Sequence, residues 1–590
     1  MAMTPAIFVL TASGHRLGST LASHLEALLV EPDDFAGALH RAFDENRPII
    51  GICAAGILIR LLAPKLSDKR AEPPVIAVAE DGSSAVPLLG GHHGANDLAR
   101  RIAGITGGSA AITTASELRF GINLDEPEGH TLANPAHLKG FLASLLAGNK
   151  IRAKGEAAWL SSLPLADDAE LSLLITDYEV PGNEKALVYY PRRLALGVGC
   201  ERGASLEDLL QNVEGILTAE GLAKGAVACV ASIDVKADEP AVHGLAAHLG
   251  VPARFFSADE LNAETARLRT PSSLVLREVG CPGVAEAAAL RAAGAEGELL
   301  IAKTIRARTT CAIARAAAPI DALSVGRARG SLSIIGIGPG TAELRTPASL
   351  AALRRATDWV GYELYLDLIA DLRHGRREHR FALGDERPRV RHAIDLAGEG
   401  RDVALVCSGD PGIYAMASLV CEMLDPASNE NLTEPQRRIE LSIVPGISAF
   451  QAAAARVGGF IGHDFCAISL SDLLTPWQVI EKRVRAAAEG DFVIAFYNPR
   501  SKKRTDHLGQ AMAILKASRL PSTPVVVARN LGRDGEQVVT VPLAEFSPDE
   551  VDMLSVVLVG ARSSRSFQRG DASRIAYTPR GYASKRETAS

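Results

Sequence analysis

Between residues 402 and 406 the chain carries a short apolar run, D-V-A-L-V, and from 415 to 424 its apolar positions recur at helical spacing. The first pattern predicts a strand buried on both faces of a parallel sheet, and the second predicts a helix after it. Ser408-Gly409-Asp410-Pro411-Gly412 is then a loop at the carboxyl end of a strand, the edge where open parallel sheets bind ligands. The same plan recurs three times: residues 331–340 (S-L-S-I-I-G-I-G-P-G), 441–449 (L-S-I-V-P-G-I-S-A, with a helix from Phe450) and 492–500 (F-V-I-A-F-Y-N-P-R). Four strand-end loops rich in glycine and proline predict one shared ligand edge.

Upstream, the alternation of short apolar runs and helical stretches predicts more α/β structure. Strands are expected at 6–11, 48–56, 75–79, 86–89 and 110–114, with a hairpin turn at Glu80-Asp81-Gly82 and a helix over 97–105 capped by Asn96. Residues 132–147 read as one amphipathic helix. Strands follow at 194–199, 225–232 and 299–302, and helices at 240–249 and 283–293. The expected domains are 1–125, a small central domain at 126–193, 194–316, a linker at 317–330 without clear periodicity, 331–562, and a polar, disordered tail at 563–590. The fold class is multidomain α/β.

Composition narrows the function classes. At 590 residues the chain needs several cores. A net charge of −6 argues against a dedicated nucleic-acid binder. No apolar run reaches a membrane span, and the N-terminus lacks the basic and apolar regions of a signal peptide. The eight cysteines are scattered without a C-x-x-C pair, so they predict neither a zinc ribbon nor a disulfide framework, but buried thiols in a reducing cytosol. No metal site is expected.

In the loops themselves, Gly409 and Gly412 admit close approach of main chain to a ligand, Pro411 fixes a turn, and Asp410 offers a short carboxylate to hydroxyls or amides. A plain capping turn is the competing reading. Gly336-x-Gly338 invites a dinucleotide reading, with Glu363 near the place of the ribose-binding acid. The sixth position, however, is Thr341, and Pro339 lacks the N–H a pyrophosphate would need.

In this order, G-I-G-P-G, S-G-D-P-G-I-Y, V-P-G-I-S-A and F-Y-N-P-R-S resemble the tetrapyrrole methyltransferases that use S-adenosylmethionine. Within them, the last motif is most similar to the precorrin-3B C-17 methyltransferase branch of cobalamin synthesis. The resemblance spans about 331–562. It implies two α/β lobes with the cofactor in the cleft between them. Gly409, Asp410, Ile413 and Tyr414 would hold the methionine and ribose portion. Ser448 and Ala449 would line the same pocket, with Pro339 and Gly340 bordering it on the substrate side. Phe496, Tyr497, Asn498, Asn530 and Leu531 would contact adenine, although Phe496 and Tyr497 equally suit core packing. The macrocycle is the nucleophile, so no indispensable general base is expected. Its carboxylates would meet Arg500, Lys502, Lys503 and Arg504, or that run is a solvated face. The family implies a homodimer.

A second resemblance covers about 51–116 and 194–316 and is to the cobalt-precorrin-5A hydrolases, which open a lactone and release acetaldehyde. It rests on G-I-L-I-R (56–60), K-R-A-E-P-P-V (69–75), P-L-L-G-G-H-H-G-A-N (87–96), I-T-T-A (112–115), G-V-G-C-E-R-G (197–203), A-S-I-D-V-K-A-D-E (231–239) and A-K-T-I-R-A-R (302–308). Glu72 stands where that family has Asp, and the histidine loop is one glycine shorter. His92 and His93 precede a helix N-terminus, where an imidazole base and free amides would suit lactone hydrolysis; a metal site and a plain glycine turn are the other readings. Arg60, Lys69, Lys236 and Lys303 are candidates to pair substrate carboxylates, with Asn96 as a further substrate contact. The chain is thus expected to be a fused cytosolic enzyme of cobalamin synthesis. The alternatives are an N-terminal half that only binds corrinoid, and a nicotinamide oxidoreductase in the C-terminal half.

Overall fold

A computed structural model describes residues 5–25, 27–30, 34–67, 72–373, 376–501 and 504–582. The first domain is a six-stranded sheet of Ala6–Val9 (β1), Leu28–Val30 (β2), Ile49–Ile52 (β3), Val75–Val78 (β4), Ser84–Leu89 (β5) and Ser109–Ala110 (β6), in the order β2-β1-β3-β4-β5-β6. Only β4 and β5 pair antiparallel, turning through Gly82 at φ 74°. Ile7, Ile50 and Ile76 lie on adjacent strands of this sheet and are fully buried, the consequence of strands covered on both faces.

The central domain is a four-stranded sheet of His130–Leu132 (β7), Ile151–Lys154 (β8), Leu171–Ile175 (β9) and Ala186–Pro191 (β10), ordered β7-β10-β9-β8. The single helix expected over 132–147 is instead β7, a 3₁₀ turn at Pro135–His137 and a helix at Leu138–Leu146. Pro135 opens the turn because it has no N–H to give to a preceding helical turn.

The third domain orders Leu194–Cys200 (β11), Val227–Ile233 (β12), Ala253–Phe256 (β13), Glu298–Arg306 (β14) and Thr309–Arg315 (β15) as β13-β12-β11-β15-β14. The alanine-rich helix Val284–Ala293 lies against β11 so closely that a Cβ on Gly197 would overlap the carbonyl of Ala285. Small residues on both elements permit that approach.

Residues 317–330, expected as a linker, are strapped to this domain. The buried Arg254 donates to the carbonyls of Leu323, Val325 and Gly326, and Phe255 and Arg327 exchange backbone hydrogen bonds at 2.8 and 2.9 Å. Main-chain bonds hold the strap, so it shows no apolar period.

The C-terminal half is two α/β lobes. Ser331–Gly336 (β16), Asp358–Tyr362 (β17), Arg377–Phe381 (β18), Asp402–Cys407 (β19) and Glu440–Val444 (β20) form an all-parallel sheet, β18-β17-β19-β16-β20. Phe465–Ser469 (β21), Val493–Tyr497 (β22), Pro524–Arg529 (β23), Gln537–Pro542 (β24) and Ser555–Val559 (β25) form a mixed sheet, β21-β22-β25-β23-β24. The two lobes share a core in which Leu344, Ile413 and Ile447 pack against Phe450, Ala528 and Leu531.

The tail expected to be disordered is ordered structure through residue 578, and its residues 583–590 lie outside the described residues. Arg565–Gln568 (β26) and Arg574–Tyr577 (β27) form a hairpin whose Ala576 is fully buried. Thr578 donates to the carbonyl of Phe460 at 2.6 Å. Arg565, Gln568 and Arg574 are exposed on the hairpin, which makes the segment read as polar in composition.

Candidate active site

β16 lies between β19 and β20, so three of the glycine loops emerge side by side. Gly409 N–H donates to the Gly338 carbonyl at 2.8 Å and Gly338 N–H returns a bond to the Gly409 carbonyl at 3.3 Å. A Cβ on Gly446 would overlap that same Gly409 carbonyl, and one on Gly336 would lie 2.5 Å from it. Glycine is required at both places because backbone packs on backbone. Asp410 ties the loops together: Oδ1 accepts from Gly412 N–H at 2.8 Å and Oδ2 from Gly446 N–H at 3.1 Å. The Gly338 N–H is therefore spent inside the protein, and a dinucleotide nest is not formed here.

These loops face the ends of β22 and β23 across a cleft with a cavity volume of about 240 Å³. Pro339, Gly409, Asp410, Ile413 and Tyr414 line it from the first lobe, with Ser448 and Ala449 at the start of the helix Ala449–Val457. Tyr497, Asn498, Asn530 and Leu531 line it from the second. Gly340 does not: it sits where the lobes touch, and a Cβ there would overlap the Gly532 carbonyl. Phe496 is corrected outright. On β22 it points the opposite way from Tyr497, fully buried in the core of the second lobe.

Backbone strain concentrates here. Tyr414, Asn498 and Asn530 have φ of 51°, 48° and 51°, three of the seven non-glycine residues with positive φ among the described residues. Asparagine tolerates this region; tyrosine does so only when its surroundings compel it. The Tyr414 hydroxyl donates to Ala467 O at 2.8 Å, and its ring lies 5.3 Å from that of Tyr497. Burial pushes both phenols above their ordinary range. Arg504 braces the Asn498 turn by donating to its carbonyl at 2.7 Å. Ser448 caps its helix in a box with Gln451, and the next free amide, Phe450 N–H, donates to the Tyr497 hydroxyl at 3.3 Å.

Two basic residues of the cleft were not foreseen. Arg389, on the helix Glu386–Gly398, is 3% exposed, donates from Nη2 to Ala382 O at 3.0 Å and leaves Nε without a partner. Arg533 donates from Nε to Pro339 O at 3.0 Å and from Nη2 to Ser408 Oγ at 3.2 Å. Arg533 stands in the R-N-L-G-R turn, a signal within reach. Arg389 is one arginine among several on an ordinary helix, and nothing local marks it. Of the basic residues that were foreseen, Arg500 is engaged elsewhere, with Asp549 at 2.9 Å and Pro548 O at 2.9 Å. Lys502 and Lys503 lie outside the described residues.

In the N-terminal half, Gly90 at φ 69° sits 2.5 Å, by its absent Cβ, from Pro73 O, and Gly94 at φ 85° precedes the helix Ala95–Thr106. His93 is exposed on this loop; the side chain of His92, and Lys69, lie outside what is described. Asn96 corrects twice. It is inside the helix rather than its cap, and it is 5% exposed with its amide donating to Thr114 Oγ1 at 3.0 Å and to Glu117. That buried network orders the loop and leaves Asn96 no face for substrate. Arg60 folds back on Gly56 O at 3.4 Å, Lys236 is 3.6 Å from Glu239, and Lys303 reaches Thr270 O at 3.4 Å. None of these lines the cavity of about 1670 Å³ between the central and third domains, whose wall includes His130, Trp159, Arg192 and Arg193.

Residues 331–547 match the family described as Tetrapyrrole (Corrin/Porphyrin) Methylases, 37–117 match Cobalamin synthesis G N-terminal, and 194–314 match Cobalamin synthesis G C-terminus. The chain is 41% identical over 254 residues, 43% of its own length and 98% of the relative's, to a "Precorrin-3B C(17)-methyltransferase" of Sinorhizobium sp. It is 43% identical over 251 residues, 42% of its own length and 99% of the relative's, to a "Probable cobalt-factor III C(17)-methyltransferase" of Salmonella typhimurium. A crystal structure of the methyltransferase CobJ aligns with a TM-score of 0.39 at 42% identity, covering 42% of this chain and all of that one.

Proposed function

The chain belongs to the tetrapyrrole (corrin/porphyrin) methylase family, and from that premise we propose that its C-terminal half methylates C-17 of a precorrin-3 type macrocycle, with ring contraction, in cobalamin synthesis. S-adenosylmethionine supplies the electrophilic methyl on a sulfonium, and the macrocycle carbon is the nucleophile. The observation that carries this reading is the bare main chain at Gly409. At φ 68° the position favours glycine, and its absent Cβ would already meet Ser448 Cα at 3.7 Å, so a larger side chain would crowd the residues assigned to the cofactor. Tyr414 and Tyr497 line the cleft, and Asn498 and Asn530 stand at its second-lobe edge in left-handed turns, the Asn498 amide donating to Ser469 Oγ at 3.1 Å. Asp410 is occupied as a brace, so the residues position the reactants and no protein base is assigned. The test is transfer of a labelled methyl from S-adenosylmethionine to precorrin-3B by the full chain, read as the gain of one methyl group in the product.

For the N-terminal half we propose a cobalt-precorrin-5A hydrolase-like activity, opening a lactone with release of acetaldehyde, with the loop carrying His92 and His93 as its centre. A second reading, a corrinoid-binding module without catalysis, is favoured by the engagement of Asn96, Lys236 and Lys303 with protein partners and by the large interdomain cavity. Acetaldehyde release by the full chain, lost in H92A/H93A, supports hydrolysis; its absence from the wild type supports the second reading. No helix among the described residues is long and apolar enough to cross a membrane. We propose a cytosolic homodimer, for which the exposed Leu441 and Ile443 on edge strand β20 supply apolar surface.

A further inference from the structure

Arg389 and Arg533 line one cleft, and neither has a carboxylate within ion-pair distance among the described residues. Arg389 is almost wholly buried with Nε unpartnered; Arg533 is partly buried and gives two of its donors to a carbonyl and a hydroxyl, neither of which carries charge. A buried guanidinium without a counter-ion is costly, and such groups are ordinarily paired. The acids nearby do not compensate. Asp410 is engaged by two backbone amides, and Glu386 stands exposed in water at the mouth.

Both guanidinium groups share the cleft with Tyr365. Burial pushes the Tyr365 phenol above its ordinary range, and the guanidinium groups of Arg533 and Arg389 both pull against that shift. Tyr365 lies edge-on to Tyr362 at 5.1 Å, and both rings line the cleft. The cleft therefore holds two guanidinium groups and a phenol, with neither guanidinium ion-paired to Asp410 or Glu386, the acids that line it.

Position sets the Tyr362–Tyr365 side of the cleft apart from Ser448, with Arg533 reaching from the second lobe to Pro339 and Ser408 between them. Tyr362 ends β17, on one side of β19; Ser448 follows β20, on the other. Gly409 at the end of β19 lies between them.

We propose that Arg389 and Arg533, with Tyr365 as a neighbouring hydroxyl donor, bind carboxylate side chains of the macrocyclic substrate. This rests on the methyltransferase reading above and names the residues that select a polycarboxylate macrocycle. Guanidinium groups suit the task because their fixed N–H fork matches a carboxylate. They take the place of the Arg500–Arg504 run, where Arg500 is bound to Asp549 and Arg504 to Asn498.

The cofactor's own carboxylate is the other possible anion, and the experiment separates the two. The full chain is titrated with uroporphyrin III, with its octamethyl ester, and with S-adenosylhomocysteine, for wild type, R389Q, R533Q, R389K and R533K. Expected is one equivalent of uroporphyrin III whose affinity falls at least tenfold in each glutamine variant and is partly restored by lysine. The ester should lack that equivalent on the wild type, and S-adenosylhomocysteine affinity should stay within twofold in R389Q and R389K. Loss of S-adenosylhomocysteine affinity with the macrocycle still bound would place the carboxylate on the cofactor and overturn the proposal. Equal binding of acid and ester by the wild type would also overturn it, and that arm does not depend on any variant folding. Failure of the wild type to bind S-adenosylhomocysteine at all would instead refute the methyltransferase reading.

Discussion

Gly338 and Gly409 are joined by two backbone hydrogen bonds, 2.8 and 3.3 Å, that zip the loop after β16 to the loop after β19. The pair fixes the height of the Gly409 main chain in the cleft, and Gly446 closes on it from the third loop.

That packing predicts a steric penalty at two other glycines. G446A and G336A place a methyl into the Gly409 carbonyl, where backbone rather than a mobile side chain must yield. Each should destabilise the C-terminal half by about 1–3 kcal/mol or more, read as a fall in melting temperature, with weaker S-adenosylhomocysteine binding per folded molecule.

Asp410→Asn tests the brace. The wild-type carboxylate accepts from two N–H groups. Asparagine retains one acceptor and turns an NH₂ toward the other amide, leaving a donor against a donor. Loss of one charge-assisted bond costs about 1.5–3 kcal/mol. Calorimetry with S-adenosylhomocysteine should show at least a tenfold loss; unchanged affinity would mean that the loop does not need its brace.

Acid sensitivity should arise in the first lobe. His392 Nε2 lies 2.8 Å from Nδ1 of His379, whose Nε2 meets Asp358 Oδ1 at 2.9 Å. Burial, and then the neighbouring His379, hold His392 below its ordinary 6.5, against the pull of Asp395, Glu399 and Asp358. Below 6.5 the unfolded chain takes up a proton there that the folded chain resists, so stability falls as pH drops through that window and is regained above it. H392Q should flatten the melting-temperature profile between about pH 7 and pH 5. A slope identical to wild type would contradict this assignment.

Truncation after residue 562 should damage the second lobe. It removes the fully buried Ala576 and two bonds of Thr578, from its hydroxyl to Phe460 O and from its N–H to Gly459 O at 3.0 Å. The loss is on the order of 3 kcal/mol from one side chain's packing and two hydrogen bonds, visible as a lower melting transition. A transition unchanged from the full chain would show the hairpin to be dispensable.

Strands such as β16 and β19, and the order of the loops, were legible because each is a compact apolar run ended by a glycine loop, a signal local in sequence; β18, R-E-H-R-F, carries no such run and is absent from the expected strands. The facing of Gly409, Ser448, Tyr497 and Asn530 on one cleft came through family motifs. What stayed hidden depends on contacts distant in the chain. Phe496 and Tyr497 are neighbours with equal credentials, and only the sheet's alternation sends one to the core and the other to the cleft. Asn96 reads as a cap until Glu117, 21 residues on, claims its amide. The basic run after Phe496-Tyr497-Asn498 draws attention by density, yet the buried charge lies in Arg389, which looks like any helical arginine.

The central claim is tested most directly by isothermal titration of S-adenosylhomocysteine into the full chain and into Gly409→Val, each with a thermal melt. Valine at φ 68° strains the loop by about 1–2 kcal/mol and projects its branches toward Ser448 and Ala449. The account predicts one binding equivalent in the wild type, none in a still-folded variant, and no heat with NAD in either. Equal dissociation constants for wild type and variant would contradict it.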